Sequence, residues 1–397
     1  MENASRKKLI SGKQVAGKYT KYWSTDRTIT RRGVLWIGLK CNLKCIFCYD
    51  KKFKNNLEWI PFDTEKGIKP IVSKFKFFYK NNHVDIMGGE PTQYPDIFKL
   101  LNYCRKIDLD VTIITHALKL SKIEIVKKYK DAGICDFLIS FHGLDKVVNK
   151  LFGIDKLDIT KYQLKALENL ADNNIPFRFN VLLTKPNLKQ LAKISEICLQ
   201  FGGGVLNFIN FNPYFEWSKM NNISFQAKFT EIASYLKDVI EYCNTNGLEV
   251  NVRYIPFCIL KGYEAHIYTD YQLPYDIHEW DFNSWYDENK QIPLTERWYY
   301  SYSEKQIKKH GYVYGKPCNK CALRNICSGF HSQYVRRWGW DEAKPYEGSL
   351  LTNPKHFISR QKKIHYIYGN KTNISETFGS NFSLDQIGFV KNRTKDI

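Results

Sequence analysis

The sequence predicts an α/β chain, a partial (β/α)6 TIM-like barrel followed by a small, loop-rich domain that carries cysteines. Short apolar runs alternate six times with longer stretches whose apolar residues recur at the three- and four-residue spacing of a helix. The short runs are nearly continuous in apolar character, as expected of parallel strands covered on both faces. Six of the eleven cysteines fall in two tight groups, one just after the first strand and one far toward the C-terminus.

Residues 1–32 form a polar, basic lead-in without the apolar segment and cleavage site of a signal peptide. The core, residues 33–215, has expected strands at Val34–Leu39, His83–Met87, Val111–Thr115, Cys135–Ser140, Phe177–Leu183 and Val205–Phe211. Amphipathic stretches such as Asp63–Tyr79, Ser121–Ala132, Tyr162–Ala171 and Leu188–Gln200 lie between them. Right-handed crossovers join such units, and six of them fall short of a closed eight-fold barrel. Ligands of such sheets sit at the carboxyl ends of the strands. Residues 216–255 read as a linking helix, Phe225–Asn246 stopped by Gly247, and an extended run from Leu248 to Phe257. Residues 256–346 are loop-like and rich in Trp, Tyr and Cys, and the tail, 347–397, holds an expected short strand at Ile364–Tyr368.

A hydrophobic fraction of 43% with 15% aromatic residues supports a packed interior and excludes a disordered chain. No apolar run approaches the ~20 residues of a membrane helix, so the chain reads as soluble and cytoplasmic, with no membrane span. A net charge of +20 has two readings, an anionic partner such as nucleic acid or AT-rich codon usage. The dispersal of the lysines favours codon usage. Cys104, Cys135, Cys198 and Cys243 are scattered among apolar neighbours and read as core filler.

After the first strand the chain reads Cys41-Asn-Leu-Lys-Cys45-Ile-Phe-Cys48. Three thiolates on a short loop can hold three corners of a cubane cluster and leave one iron open, since full ligation takes four. The alternatives are a zinc site, for which no histidine lies in the loop, or three unrelated thiols. Gly88-Gly89-Glu90-Pro91 closes the second strand, where glycines let backbone approach a ligand and strand-end carbonyls can accept from an ammonium.

The Cys-x3-Cys-x2-Cys spacing, with Phe47 before the last cysteine and Gly88–Pro91 about forty residues on, resembles the radical S-adenosylmethionine (SAM) superfamily. The resemblance implies a 4Fe–4S cluster whose open iron binds SAM. Reductive cleavage then gives a 5′-deoxyadenosyl radical that abstracts hydrogen from substrate. It implies SAM contacts at Phe47, Gly88, Gly89, Glu90 and Pro91, with Ser140, Asn180 and Arg178 meeting the ribose or the carboxylate. Thr115-His116-Ala117 stands where relatives often carry Thr-Asn-Gly, and His116 could face the substrate. His142 is either a structural hydrogen-bonder or a substrate contact, the former being commoner.

The second group reads Cys318-Asn-Lys-Cys321-Ala-Leu-Arg-Asn-Ile-Cys327, a metal-binding spacing for which a zinc knuckle is the structural alternative. Beside a radical SAM core it resembles the auxiliary-cluster domains called SPASM and twitch, and its missing cysteines imply one auxiliary 4Fe–4S cluster. Cys258 is its expected fourth ligand. Otherwise the three-cysteine cluster binds substrate at an open iron, or Cys258 is a hydrogen-atom donor. Tyr275, Asp276, His278 and Glu279 could line the substrate cavity, and Arg253, Arg336 and Arg337 could engage an anionic group.

The expected activity is hydrogen abstraction from a small polar molecule (a sugar, nucleotide-sugar or related metabolite), served by an external one-electron donor of flavodoxin or ferredoxin type. The outcome can be oxidation, epimerisation, rearrangement or bond formation. A peptide is the close runner-up: many relatives with such C-terminal domains modify ribosomally made peptides, but about thirty residues before the barrel are too few for the peptide-recognition domain those often carry. A nucleic-acid-modifying enzyme ranks third. A non-catalytic iron–sulfur protein has no use for the Gly88–Pro91 segment.

Overall fold

The computed structural model describes residues 22–25, 32–48, 58–77, 81, 83–211, 222–269, 271, 311–353, 355–358 and 363–366. Strand β1 (Tyr22–Thr25) precedes the main sheet, formed by β2 (Arg32–Trp36), β3 (His83–Met87), β4 (Asp110–Thr115), β5 (Asp136–Ser140), β6 (Phe177–Leu183), β7 (Val205–Asn210), β8 (Glu249–Arg253) and β9 (Ile267–Tyr268). These eight strands lie side by side in chain order, each parallel to the next. The α/β architecture is the one expected, and the sheet runs two strands beyond the six read from the sequence.

The helix read as a linker, Phe229–Thr245, is the crossover between β7 and β8. Strand β8 escapes a search for apolar runs because Glu249, Asn251 and Arg253 alternate with Val250 and Val252. The same alternation runs through the sheet. Val84, Ile113, Phe137, Phe179 and Val252 face one side, where they join helix residues such as Leu100 and Leu167 in a continuous core. Asp85, Thr112, Asp136, Arg178, Asn207 and Asn251 point to the other side and are buried as well. The second face thus mixes these polar groups with apolar residues such as Val34, Leu138 and Val205, and lines a partly polar interior.

At the amino-terminal end of that polar face, Arg178 Nε donates to Asp136 Oδ2 at 2.6 Å, with both residues 0% exposed. Thr112 donates to Asp136, and His83 Nε2 meets Thr112 Oγ1 at 2.7 Å. Breaking a buried pair of this kind strands a charge, which makes it a firm structural element.

Within the core, the helices Ile97–Lys106 and Asp145–Phe152 were not among the stretches named from the sequence, and neither was Ser332–Trp338 in the region read as loop-like. Strand β10 (Tyr312–Val313) pairs antiparallel with β11 (Phe330–His331). The helix that follows, Ser332–Trp338, docks on the last crossover helix, where Tyr334 stacks on Phe229 with ring centroids 3.9 Å apart. The expected tail strand is β12 (Lys363–Tyr366), paired with β1. Among the described residues no helix is long and apolar enough to cross a membrane.

Candidate active site

After β2 the chain turns at Gly38, φ +136°, and enters the first cysteine loop. The loop is pinned by backbone: Lys44 N–H donates to the Phe152 carbonyl and Ile46 N–H to the Leu151 carbonyl, both at 3.0 Å. These carbonyls end the helix Asp145–Phe152. The next residue, Gly153, takes φ +64°, and a Cβ there would overlap the Lys44 carbonyl oxygen. Leu43 packs with Val148, Phe152 and Ile159, joined by Cys45 and Phe47. Cys41 is exposed, while Cys45 and Cys48 are half-buried.

The Gly88–Pro91 segment lies against the start of this loop. Gly89 N–H donates to Gly38 O and Glu90 N–H to Lys40 O, each at 2.8 Å. A Cβ on Gly89 would overlap the Lys40 carbonyl, so the approach requires glycine. Among the described residues, neither the Gly88 nor the Gly89 carbonyl accepts a backbone hydrogen bond.

Glu90, expected among the SAM contacts, is 1% exposed and turned inward. Its Oε1 accepts from Thr92 N–H at 3.1 Å, Thr92 Oγ1 at 2.6 Å and Thr115 Oγ1 at 2.5 Å, and its Oε2 accepts from His116 N–H at 3.0 Å. The side chain therefore knots the ends of β3 and β4 together. Pro91 opens the 3₁₀ turn Pro91–Gln93 and is buried. His116 does not face an open cavity. It is 6% exposed, with Nε2 2.9 Å from Asn42 Oδ1 and 3.1 Å from Glu90 Oε2.

Ser140 and Asn180 are register partners on β5 and β6, on the polar face near the carboxyl ends. Asn207 and Asn251 continue the same row across β7 and β8, joined by a 2.9 Å bond between their amides. The buried Oδ1 of Asn180 has no hydrogen-bond partner, an orphaned acceptor of the kind a ligand satisfies. Arg178 is corrected: two residues earlier on the same face, it is deeper in the sheet and committed to Asp136. His142 is structural in its contacts. Its Nδ1 accepts from Leu182 N–H at 3.1 Å, its ring meets Phe47 edge-on at 4.8 Å, and burial pushes its pKa down to about 3. Arg253 ends β8 on the polar face, beside Ile209, and is 9% exposed.

The orphaned Asn180 acceptor, the carbonyls of the Gly88–Gly89 strap and the glycine-only approach at Gly89 fit a bound SAM, and the pinned three-thiol loop fits a cluster with an open corner. Residues 37–197 match the Radical SAM superfamily. This segment is similar to a radical SAM domain. The chain is 26% identical over 216 residues to a probable GTP 3′,8-cyclase of Sulfurisphaera tokodaii, covering 54% of this chain and 66% of that protein. It is also 26% identical over 164 residues to the mycofactocin maturase MftC of Mycolicibacterium smegmatis, covering 41% of this chain and 40% of that one. The chain thus spans less than two thirds of the length of these curated relatives. Streptococcus suis SuiB bound to S-adenosylmethionine shares the fold, with a TM-score of 0.54 and 18% identity over 82% of this chain and 78% of that chain.

Beyond the segment that matches the Radical SAM superfamily, Cys258, Cys318, Cys321 and Cys327 all line one cavity, together with Phe257, Tyr314, Arg324 and Tyr346. Cys258 lies in the turn Phe257–Ile259 and Cys318 in the turn Lys316–Lys320. Gly329 N–H points at Cys327 Sγ and Tyr346 N–H at Cys321 Sγ, each at 3.4 Å. Burial pushes the Cys258 thiol up to about 11 and Cys327 to about 12, whereas Arg324 acts against burial at Cys318. Among the described residues no three His, Cys, Asp or Glu side chains converge as ligands of a single metal ion. Four thiols around one cavity fit a polynuclear cluster.

Tyr275, Asp276, His278 and Glu279 lie outside the described residues. Arg336 and Arg337 are exposed on Ser332–Trp338, with the Arg337 guanidinium 4.3 Å from the Trp338 ring centroid. The sequence reading missed Asn42, Gly153, Asn207 and Asn251. For Asn251 the signal was available, since polar residues recur at every second position of β8, whereas Asn207 is a lone polar residue in the middle of an apolar run.

Proposed function

We propose that this chain is a radical SAM enzyme acting on a small polar substrate. The observation that carries the proposal is the convergence, at one end of the sheet, of the three-cysteine loop, the Gly88–Gly89 strap and the Ser140–Asn180 pair. When bound, a reduced 4Fe–4S cluster supplies the electron that splits SAM into methionine and a 5′-deoxyadenosyl radical, which takes a hydrogen atom from substrate and leaves as 5′-deoxyadenosine. Cys41, Cys45 and Cys48 would hold that cluster. The Gly88 and Gly89 carbonyls would accept from the SAM ammonium, with Ser140 and Asn180 holding its ribose or carboxylate. The row continuing through Asn207 and Asn251 toward Arg253 supports a polar substrate with an anionic or hydrogen-bonding group.

Cys258, Cys318, Cys321 and Cys327 would hold one auxiliary 4Fe–4S cluster, fully ligated and suited to electron transfer. A flavodoxin- or ferredoxin-type donor would supply the electron, in the reducing cytoplasm where thiols persist. A peptide substrate is the second reading, favoured by the resemblance to a mycofactocin maturase and by the fold shared with SuiB, which binds the precursor peptide SuiA.

The test is 5′-deoxyadenosine formation by the anaerobically reconstituted, reduced protein. It is supplied in turn with a small-molecule filtrate and with the retained peptide and RNA fraction of a cell extract. Stimulation by the filtrate is expected, and stimulation by the retained fraction alone selects the peptide reading or an RNA. Replacing Cys41, Cys45 and Cys48 by Ala is expected to reduce formation to the protein-free background while the iron of the second site remains; retained cleavage overturns the assignment.

A further inference from the structure

The first cysteine loop is anchored unequally. Its second half hangs from the carbonyls of Phe152 and Leu151 through Lys44 and Ile46. Its first half, with the exposed Cys41, is held by the Glu90 N–H bond to the Lys40 carbonyl and by Leu43 N–H, 3.4 Å from Cys41 Sγ. Among the described residues Asn42 makes a single hydrogen bond, through Oδ1 to His116 Nε2 at 2.9 Å. His116 directly follows Thr115, the last residue of β4, far from the loop in sequence, and its ring is fixed at both nitrogens. Leu118 N–H donates to Nδ1 at 3.2 Å, which makes Nδ1 the acceptor and leaves the proton on Nε2. That Nε2–H lies between Asn42 Oδ1 and, at 3.1 Å, Glu90 Oε2. The same carboxylate oxygen accepts from the His116 backbone, and the Glu90 N–H holds the Lys40 carbonyl one residue before Cys41.

We infer that His116 is a positioning residue that ties Asn42, and through it the Cys41 corner of the loop, to the Glu90 carboxylate beneath the Gly88–Gly89 strap. The inference rests on the reading of the loop as the seat of the SAM-binding cluster. Its consequence is that one imidazole adds a side-chain link, from the residue beside the cluster's most exposed ligand to the Glu90 carboxylate, to the backbone bonds that already hold the strap against Gly38 and Lys40. The Thr-His-Ala end of β4 then has a definite purpose, because histidine reaches across to Asn42, where the shorter side chain of Thr-Asn-Gly would stop nearer the backbone.

The test uses the reconstituted full-length chain and the variants Asn42→Ala, His116→Phe, the double variant, and His116→Gln, which keeps a donor of similar reach. Two quantities are read: amide hydrogen exchange of segment 41–48, and the change that SAM causes in the electron paramagnetic resonance spectrum of the reduced first cluster. One hydrogen bond of ordinary net strength predicts roughly 2- to 12-fold faster exchange in Asn42→Ala and His116→Phe, and a SAM concentration for half-maximal spectral change raised by a similar factor. The double variant should be no worse than His116→Phe, His116→Gln should recover most of the protection, and segment 318–327 should exchange as in the parent. Asn42 is exposed, so Asn42→Ala decides the matter even where His116→Phe fails to fold. Unchanged exchange and an unchanged SAM response in Asn42→Ala overturn the inference, as do fully additive effects in the double variant. A parent protein without any SAM-sensitive cluster signal would sink the functional reading instead, while the exchange data still decide the His116–Asn42 link.

Discussion

The two cysteine-bearing regions are built in opposite ways. The first lies within eight consecutive residues, is pinned by backbone hydrogen bonds at Lys44 and Ile46, and leaves Cys41 exposed. The second draws Cys258 to Cys318, Cys321 and Cys327 from a distant part of the chain, and walls them with Phe257, Tyr314 and Tyr346. Its sulfurs receive backbone N–H groups from Gly329 and Tyr346. A centre that must admit a ligand needs a rigid frame and an open side. A centre that only stores charge is better enclosed.

Gly89→Ala should break this contrast most severely, because the added methyl falls on the Lys40 carbonyl and pushes the strap off the loop. Overpacking costs about 1–3 kcal/mol, and a misplacement of about 1 Å can cost ~10²-fold in rate. A drop of that order in 5′-deoxyadenosine formation, with the second cluster's spectrum intact, is expected; near-parental activity would show that the close approach does not matter. Cys258→Ala acts on the other region. It should change the absorbance and paramagnetic spectrum of the auxiliary cluster while SAM still perturbs the first. An unchanged auxiliary spectrum would return Cys258 to the role of hydrogen-atom donor.

His142 gives a smaller, pH-dependent effect. Burial pushes its pKa down to about 3, against about 6.5 in an unfolded chain. Between those values the unfolded state binds a proton that the native state does not. Stability should therefore fall as pH drops below about 6.5, by up to about 1.4 kcal/mol per pH unit, until about pH 3. His142→Asn, which can still accept from Leu182 N–H, should remove this contribution to the slope in denaturant titrations; an identical slope would mean His142 is already charged in the native protein. The smallest effect is expected at Ala117, buried in the left-handed conformation with φ +65°. Ala117→Gly relieves about 1–2 kcal/mol of strain and loses about 0.4–1 kcal/mol to unfolded-chain entropy. A slightly raised melting temperature should result, and a lowered one would show that the Ala117 methyl contributes more by packing.

The strands that end in chemical motifs were legible, since β3 and β6 match the sequence reading residue for residue and the other core strands differ at their ends by a few residues. Strand β8 was read as extended but not as part of the sheet, because its alternation of Glu249, Asn251 and Arg253 with valines hides an edge-to-edge partner that only β7 reveals. Arg178 was misread for a related reason. It shares a face with Asn180, yet depth along a strand and the partner Asp136, 42 residues away, are properties of the folded sheet. The inward turn of Glu90 was equally invisible, since its donors come from Thr115 and His116 on the next strand.

The anchorage of the first loop also sets an order of events during synthesis. The three cysteines leave the ribosome early, but the carbonyls of Leu151 and Phe152 and the close approach at Gly153 that hold them are encoded more than a hundred residues later. At about 5–20 residues per second, the thiols spend several seconds on a nascent chain that cannot yet present them as a set. Under the proposed function, this loop becomes a complete cluster seat only after Gly153 has been made, and a chain truncated before Gly153 would carry the whole cysteine motif without the backbone partners that fix it.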